Sequence, residues 1–359
     1  MTRVLTEDQS GNLTFQERAT DVDQDQITLE KVELDAIDGT TQSGGARDPS
    51  WLSWTSTFNA GDPSEMLIDV TIDASELSQG TTYTFLFEVS DGIETTTRTV
   101  DLVVTGIVPS KGTILLVSDA DFVYKYDLST GFDVTSASFN TSGDYRSNAG
   151  GVSTIKGMAV ANNGGKLFLV DNSEVVYEYD LSTSFDPSTF TFVQSFDVSG
   201  QISSAMEVFF NTDGSTMFVL GNNNGVAEYS LGSSFSLSSV THQQTNDPGF
   251  ESPGGLAFNK NGDIMAITEF ISATVDQYNL GTTYDVSTAS FDSEDGVSDG
   301  DPEDVEFNDD GSKLFVVGSA GSRVEEYDLG TNYDISTLTN KSELDVSNET
   351  SAPTSIAWN

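Results

Sequence analysis

Lys125-Tyr126-Asp127-Leu128 is the first of five related tetrapeptides that decide the fold. The tyrosines recur at intervals of 49 to 53 residues, and the other four copies are Glu178-Tyr179-Asp180-Leu181, Glu228-Tyr229-Ser230-Leu231, Gln277-Tyr278-Asn279-Leu280 and Glu326-Tyr327-Asp328-Leu329. A second aromatic stands six residues after each tyrosine: Phe132, Phe185, Phe235, Tyr284 and Tyr333. Such regular recurrence indicates five copies of one structural unit.

Each copy has the pattern of short strands, as the fifth shows. Residues 305–307 alternate, residues 308–312 are turn-forming, residues 313–317 are an apolar run, and residues 324–328 alternate again. Alternation and short apolar runs between Asn, Asp and Gly clusters predict strands joined by hairpin loops. Three to four strands in a repeat of about 50 residues are typical of a propeller blade.

The two ends of the repeat region complement each other. The first copy begins at Lys111 without an inner strand, whereas residues 353–359 at the end of the chain align with the missing strand. We therefore expect the C-terminal strand to complete the first blade and close the ring, which removes exposed sheet edges. Residues 109–359 resemble the β-propeller repeat family, with five blades.

Residues 1–108 contain no copy of this repeat. Their alternating segments, separated by polar turns, predict a β-sandwich. The segments Pro49-Ser50-Trp51-Leu52-Ser53-Trp54, Asp21-Val22-Asp23-Gln24-Asp25 and Val89-Ser90-Asp91-Gly92 resemble bacterial and phage immunoglobulin-like domains of cadherin type. The sequence thus predicts an all-β protein: an immunoglobulin-like sandwich over 1–108, followed by a five-bladed propeller over 109–359.

Composition excludes several classes of function. The chain has 57 Asp plus Glu and 14 Lys plus Arg among its 359 residues, a formal net charge of −43. Nucleic-acid binding needs clustered basic residues, so no nucleic-acid partner is expected. Without Cys and with a single His, the chain offers no disulfide framework and no multi-histidine metal site. No apolar stretch is long enough for a membrane span, and the start of the chain does not resemble a secretory signal.

Two acidic groups are candidate cation sites. Asp21, Asp23 and Asp25, with Asp91 nearby in the cadherin-type resemblance, are candidate Ca²⁺ ligands, because calcium takes six to eight oxygen ligands. Asp299 and Asp301, in the connection between the fourth and fifth blades, are a second candidate metal or polar-ligand site. In both places the alternative is solvated carboxylates on an acidic chain. Calcium is the one cofactor that we consider.

Other conspicuous residues have structural interpretations. The recurrent aromatic residues are expected to pack between blades, and His242 is expected on an exposed outer strand. No nucleophile elbow precedes a helix, so serine hydrolase chemistry is not expected. Some five-bladed propellers are glycosidases with paired carboxylates, but the regular blades of this chain favour a scaffold or a binding protein.

These observations lead to a hypothesis about biological setting. An extracellular style of architecture without a signal at its start suits a phage virion, because virions assemble in the cytoplasm. We expect a non-enzymatic virion surface protein, in the capsid or the tail, whose sandwich anchors it to other virion proteins and whose propeller is exposed. A host-surface glycan is a possible ligand, and a homo-oligomer would follow the particle symmetry. A secreted bacterial lectin or adhesin is the alternative hypothesis, and a propeller glycosidase is the third.

Overall fold

A computed structural model describes residues 111–147 and 150–359 and, before them, eight strands that lie between residues 6 and 103. The chain divides into two compact units, Met1–Ser110 and Lys111–Asn359. Within these described ranges the regular elements are strands and short 3₁₀ turns, which agrees with the predicted all-β class. The same ranges contain no helix long and apolar enough to cross a membrane.

The N-terminal unit contains two four-stranded sheets. The strands are β1 (Thr6–Glu7), β2 (Asn12–Thr20), β3 (Thr28–Ile37), β4 (Thr40–Thr41), β5 (Leu52–Asn59), β6 (Asp62–Asp73), β7 (Thr82–Ser90) and β8 (Thr95–Val103). One sheet has the order β1-β2-β6-β5 and the other β4-β3-β7-β8. Alternate residues are buried on β6, as on β7, so each of these strands has one inward face. The immunoglobulin-like assignment stays a prediction.

The second unit is a five-bladed β-propeller, as predicted. Its strands are β9 (Ile114–Ser118), β10 (Phe122–Leu128), β11 (Ala137–Asp144), β12 (Ile155–Ala161), β13 (Lys166–Asp171), β14 (Val175–Leu181), β15 (Phe190–Asp197), β16 (Ala205–Phe210), β17 (Thr216–Gly221), β18 (Gly225–Leu231), β19 (Val240–Asn246), β20 (Pro253–Phe258), β21 (Ile264–Glu269), β22 (Thr274–Leu280), β23 (Ala289–Gly296), β24 (Pro302–Phe307), β25 (Lys313–Gly318), β26 (Arg323–Leu329), β27 (Leu338–Asp345) and β28 (Ser355–Trp358). Blades two to five each contain four consecutive strands from β12 onward, and the first blade has the order β28-β9-β10-β11.

The C-terminal strand closes the ring. β28 pairs antiparallel with β9, from Ser355 opposite Ser118 to Trp358 opposite Leu115. The five inner strands β28, β12, β16, β20 and β24 each contact the two neighbouring inner strands, so they surround a central axis. Ile356 is fully buried in the packing between the fifth and first blades. Trp358 is only partly buried. Its ring packs against the same cluster, on Phe132 and Phe315.

Five hydrophobic clusters fill the five interfaces between blades. The second recurrent aromatic of each blade belongs to them, and all five adopt left-handed backbone with φ between 52° and 59°. The N–H of each donates to the carbonyl of a turn glycine at 2.8–2.9 Å: Gly112, Gly164, Gly214, Gly262 and Gly311. The aromatic ring covers that glycine. These positions therefore support the predicted role of the aromatics in packing between blades.

A buried side chain also links four of the five blades to the next one. The residue before the recurrent tyrosine accepts an N–H from the turn between the third and fourth strands of the following blade, a 3₁₀ turn in three of the four cases. The pairs are Glu178–Leu237, Glu228–Val286, Gln277–Ile335 and Glu326–Val134, at 2.8–3.1 Å. The first blade has Lys125 in this position, and the turn that follows begins at Pro187, which has no N–H to donate. The acceptor is thus absent where the donor is absent.

Candidate functional site

The candidate site lies where the inner strands begin. Antiparallel pairing with the second strand is interrupted there by a bulge, so that one extra residue stands between two paired positions: Lys156 on β12, Met206 on β16 and Glu303 on β24. A β-bulge redirects the extra side chain out of the normal alternation. All three of these side chains line the same cavity.

This cavity has a volume of about 440 Å³, within the range of small-molecule sites. Its wall combines the three bulge residues with residues that directly follow the second strands, and blades two to five all contribute. The remaining lining residues are Asn172, Ser204, Ala205, Asn222, Phe270 and Asp301. The cavity therefore offers amide, hydroxyl, ammonium and carboxylate groups beside one aromatic ring and one thioether.

The cavity contains charged groups of both signs. Lys156 is the one cation among the lining residues, whereas Asp301 and Glu303 are the two carboxylates. Burial raises the pKa of Glu303, and the negative charge of Asp301 raises it further, while Lys156 lowers it. Asp301 Oδ2 accepts a hydrogen bond from Ser319 Oγ at 2.9 Å. The cavity thus presents one ammonium and two carboxyl groups to an occupant.

The two predicted metal ligands of this region, Asp299 and Asp301, have different surroundings. Asp301 lines the cavity, but Asp299 is fully buried outside it. The Asp299 carboxylate accepts the N–H of Gly321 at 2.9 Å and that of Asp301 at 3.1 Å, and it lies 3.5 Å from Arg323 Nε. Through these contacts, Asp299 fixes the loop that precedes β24. In the described part of the chain, no three His, Cys, Asp or Glu side chains form a group that could hold a metal ion.

The other predicted calcium ligands, Asp21, Asp23, Asp25 and Asp91, lie outside the described residues. Their role as Ca²⁺ ligands stays a prediction. His242 is exposed on β19, where its ring meets Tyr229 edge-on at a centroid distance of 5.5 Å. This agrees with the position on an exposed outer strand that the sequence predicts.

Sequence reasoning did not identify Lys156, Asn172 or Asn222 as site residues. A bulge changes the inward and outward alternation by one residue, so a period-two pattern assigns Lys156 to the wrong face. Asn172 and Asn222 follow corresponding strands of two adjacent blades. Comparing this position across the aligned repeats could have indicated them, because the residue after the second strand is polar in four of the five repeats, with Phe270 as the exception.

No family model and no curated protein matches the chain. Solved structures to which it is similar include a functionally unknown protein from Desulfotomaculum acetoxidans, at 14% identity over 77% of this chain and 84% of that chain, with a TM-score of 0.40. A candidate 6-phosphogluconolactonase from Bacteroides fragilis has 12% identity over 77% and 80% of the two chains, with a TM-score of 0.42. The periplasmic gluconolactonase of Pseudomonas aeruginosa has 11% identity over 86% and 85%, with a TM-score of 0.39. At such distances the function has to be argued from the site itself.

Proposed function

We propose that the propeller is a non-enzymatic binding module that takes a small polyhydroxylated ligand, such as one saccharide unit of a glycan, in the cavity at the start of the inner strands. The observation that carries this proposal is the lining of that cavity. The side chains of Asn172, Asn222 and Ser204 can each donate and accept hydrogen bonds, as a sugar hydroxyl requires. Phe270 and Met206 supply apolar surface for the C–H face of a sugar ring.

The position of the cavity also favours binding. Its lining residues come from four blades, so a ligand is held by a rigid ring rather than by one loop. The two buried carboxyl groups of the inner strands, Glu207 and Asp304, do not line the cavity, so they are not available to act on a ligand bound there. Saccharide binding agrees with the host-glycan ligand that the sequence analysis considered.

The test is a panel of neutral, acidic and amino monosaccharides, measured by saturation-transfer NMR and titration calorimetry on the full chain. We expect the replacement Asn172→Ala to weaken binding about threefold to tenfold, because one net hydrogen bond is worth about 0.5–1.5 kcal/mol. Ser173→Ala is the matched control, since Ser173 is the exposed next residue and does not line the cavity. Equal loss in both variants, or binding of no saccharide, would contradict the proposal.

A glycosidase is the second candidate, and a specific feature favours it. The cavity holds a carboxyl group with a raised pKa, Glu303, beside a second carboxyl group, Asp301. An acid with raised pKa and a neighbouring carboxylate are the groups that glycoside hydrolysis uses. Incubating the purified protein with aryl glycosides separates the two candidates. Product release that Glu303→Gln abolishes would favour the enzyme, and saccharide binding without release would favour the binding module.

The virion setting is also a proposal, with the N-terminal unit as the attachment to other virion proteins. The immunoglobulin-like assignment of that unit is supported by its strand order. The orders β1-β2-β6-β5 and β4-β3-β7-β8 correspond to A-B-E-D and C′-C-F-G of immunoglobulin-type sandwiches. Detecting the chain in purified particles tests the setting, and its absence from them would favour a secreted lectin.

A further inference from the structure

Glu207 is a buried carboxyl group with one unpartnered oxygen. The side chain, on the inner strand β16, is 2% exposed. Its Oε1 accepts the N–H groups of Met158 and Val208, both at 2.8 Å. Its Oε2 is buried and makes no hydrogen bond of normal geometry with the described residues. The Ser355 hydroxyl acts on the Glu207 carboxyl group, but its proton is donated to Asp304 Oδ2 at 2.8 Å. An unpaired buried oxygen of this kind costs about 1–3 kcal/mol, so it calls for an explanation.

Asp304 occupies the corresponding position on the inner strand of the fifth blade and is also 2% exposed. Its Oδ1 accepts the N–H of Val305 at 2.7 Å, and its Oδ2 accepts Ser355 Oγ at 2.8 Å and the N–H of Ile356 at 2.9 Å. Ser355 and Ile356 belong to the closing strand β28. Asp304 therefore holds the C-terminal strand to the fifth blade.

Two glycines make room for these carboxyl groups. A Cβ at Gly157 would lie 2.5 Å from Glu207 Oε1, and a Cβ at Gly255 would overlap Asp304 Oδ1. Gly157 and Gly255 occupy the same repeat position in the blades that precede Glu207 and Asp304. Around the ring, the same repeat position is thus Gly157, Glu207, Gly255 and Asp304 in blades two to five and Ser355 in the first blade. Each acid follows a glycine that accommodates it, and the serine donates to Asp304.

The two acids meet across the axis of the propeller. Glu207 is in the third blade and Asp304 in the fifth, yet their carboxyl groups are within hydrogen-bonding reach of each other. Two ionised carboxylates have only acceptors to offer, so they would repel each other and leave Oε2 unpaired. A single proton on Oε2 removes both difficulties, because Glu207 then donates to Asp304.

We propose that Glu207 and Asp304 share one proton across the central axis and that this shared proton makes the closure of the ring sensitive to pH. The other charged residues of the packed inner strands are Glu303 and Glu306 on β24 and Lys156 on β12. Glu306 acts on both members of the pair, whereas Glu303 and Lys156 line the cavity described above. Strands β20 and β28 contain no charged residue. The surroundings are predominantly acidic, which favours retention of the proton.

The pKa values agree with this geometry. Burial raises the pKa of Asp304 to about 7 and holds that of Glu207 well above its ordinary value, with the charge of Asp304 adding to the second shift. A carboxyl group with a raised pKa in the folded state binds its proton more tightly there than in the unfolded chain. The stability that the pair contributes is therefore complete below about pH 4 and is lost as the pH rises toward about 7.

The experiment compares the pH dependence of chemical unfolding for the wild-type full chain, Glu207→Gln, Asp304→Asn and the double variant. The amide of Glu207→Gln donates permanently to Asp304, so its stability is expected to vary less with pH. Between about pH 5 and 8 the unfolding constant of the wild type should rise by at least ~10-fold relative to this variant, because one pKa unit corresponds to a factor of ten. Each single variant should remove most of the effect, and the double variant should add little.

Parallel pH profiles for the wild type and Glu207→Gln, or additive effects of the two substitutions, would overturn the proposal. Calcium-dependent stabilisation at about pH 8 that Glu207→Gln removes would also overturn it, because a cation rather than a proton would then lie between the carboxylates. Carboxyl ¹³C NMR of the wild type needs no variant to fold. Two coupled titrations are expected from the pair, and two independent titrations near pH 4 would contradict it.

Discussion

At the scale of single residues, the links between blades depend on buried acceptors rather than on surface ion pairs. Glu228 is 6% exposed, and its two carboxylate oxygens accept the Val286 N–H and the Gln244 amide, both at 2.9 Å. Gln277 has the same role in the next blade, with its Oε1 accepting the Ile335 N–H at 3.1 Å. A neutral amide therefore suffices, and what matters is an acceptor at this position.

Replacing Glu228 with Ala is expected to destabilise the propeller by about 1–3 kcal/mol, because the buried Val286 N–H loses its acceptor. Glu228→Gln is the matched control and should lose clearly less, since its amide oxygen still accepts the Val286 N–H, as Gln277 accepts that of Ile335, and only the bond from Gln244 is lost. Burial raises the pKa of Glu228, so the amide also removes the cost of a buried charge. Urea unfolding midpoints measure both variants, and equal losses would show that the acceptor is unimportant.

At the scale of elements, a glycine and an aromatic residue fix the end of each blade together. In the fifth blade, Gly311 has φ of +70° and Tyr333 has φ of 59°. Left-handed backbone costs a residue with a side chain roughly 1–2 kcal/mol, which the packing of the ring over the glycine offsets. The motif recurs in all five blades, so it is a property of the repeat.

The variant Gly311→Ala is expected to lose about 2 kcal/mol or more. A Cβ there would lie well inside 3.0 Å of the Tyr333 ring, and the residue would have to keep its positive φ. Gly296→Ala is the matched control, because no atom lies within 4 Å of the added methyl group and φ is not positive. Thermal unfolding compares the two, and a melting temperature for Gly311→Ala equal to that of Gly296→Ala would contradict the role of the glycine.

At the scale of the whole molecule, the propeller unit depends on one strand that is distant in sequence from its partner. β28 supplies the inner strand of the first blade, and residues of the fifth and first blades pack on Ile356. Without this strand, the second strand of the first blade has an open edge and two blade interfaces lose their inner wall.

Deleting residues 351–359 is therefore expected to lower the melting temperature and increase binding of the dye ANS. The point variant Ile356→Ala should give an intermediate loss of about 2–5 kcal/mol, because it leaves a cavity but keeps the strand pairing. Ser351→Ala, at an exposed position, serves as control. A truncated chain that unfolds at the wild-type temperature would show that closure by β28 does not stabilise the ring.

The net charge of −43 also acts on the whole molecule. Like charges are closer together in the folded chain than in the unfolded one, so their repulsion destabilises the fold. Raising NaCl from about 0.01 M to about 1 M shortens the screening length from about 30 Å to about 3 Å and should raise the melting temperature. The same series with the buried Glu228→Gln variant should be parallel, and a melting temperature that falls with salt would contradict this expectation.

The local sequence was sufficient for the repeat, the number of blades and the closing strand, whereas it left three or four strands per blade open. Each of these depends on patterns that are visible within one repeat or by aligning the repeats: the Asn and Gly turns, the tyrosine spacing, and the match of residues 353–359 to an absent strand. Hydrophobic alternation and turn chemistry act over a few residues, so both patterns can be recognised in the sequence without knowledge of the fold. The same patterns also predicted the exposure of His242 and the packing of the aromatics.

Which side chains meet depends on how the blades are arranged around the ring. Glu207 and Asp304 are almost a hundred residues apart, and they face each other because ring closure brings the third and fifth blades to one axis. The side chains of Lys156 and Glu303 enter one cavity because each stands at a β-bulge, and a periodic sequence pattern does not reveal these bulges. Asp299 and Asp301 are two residues apart, yet one is buried among backbone donors and the other lines that cavity. Proximity of this kind is set by how the blades pack against each other, and local sequence does not encode it.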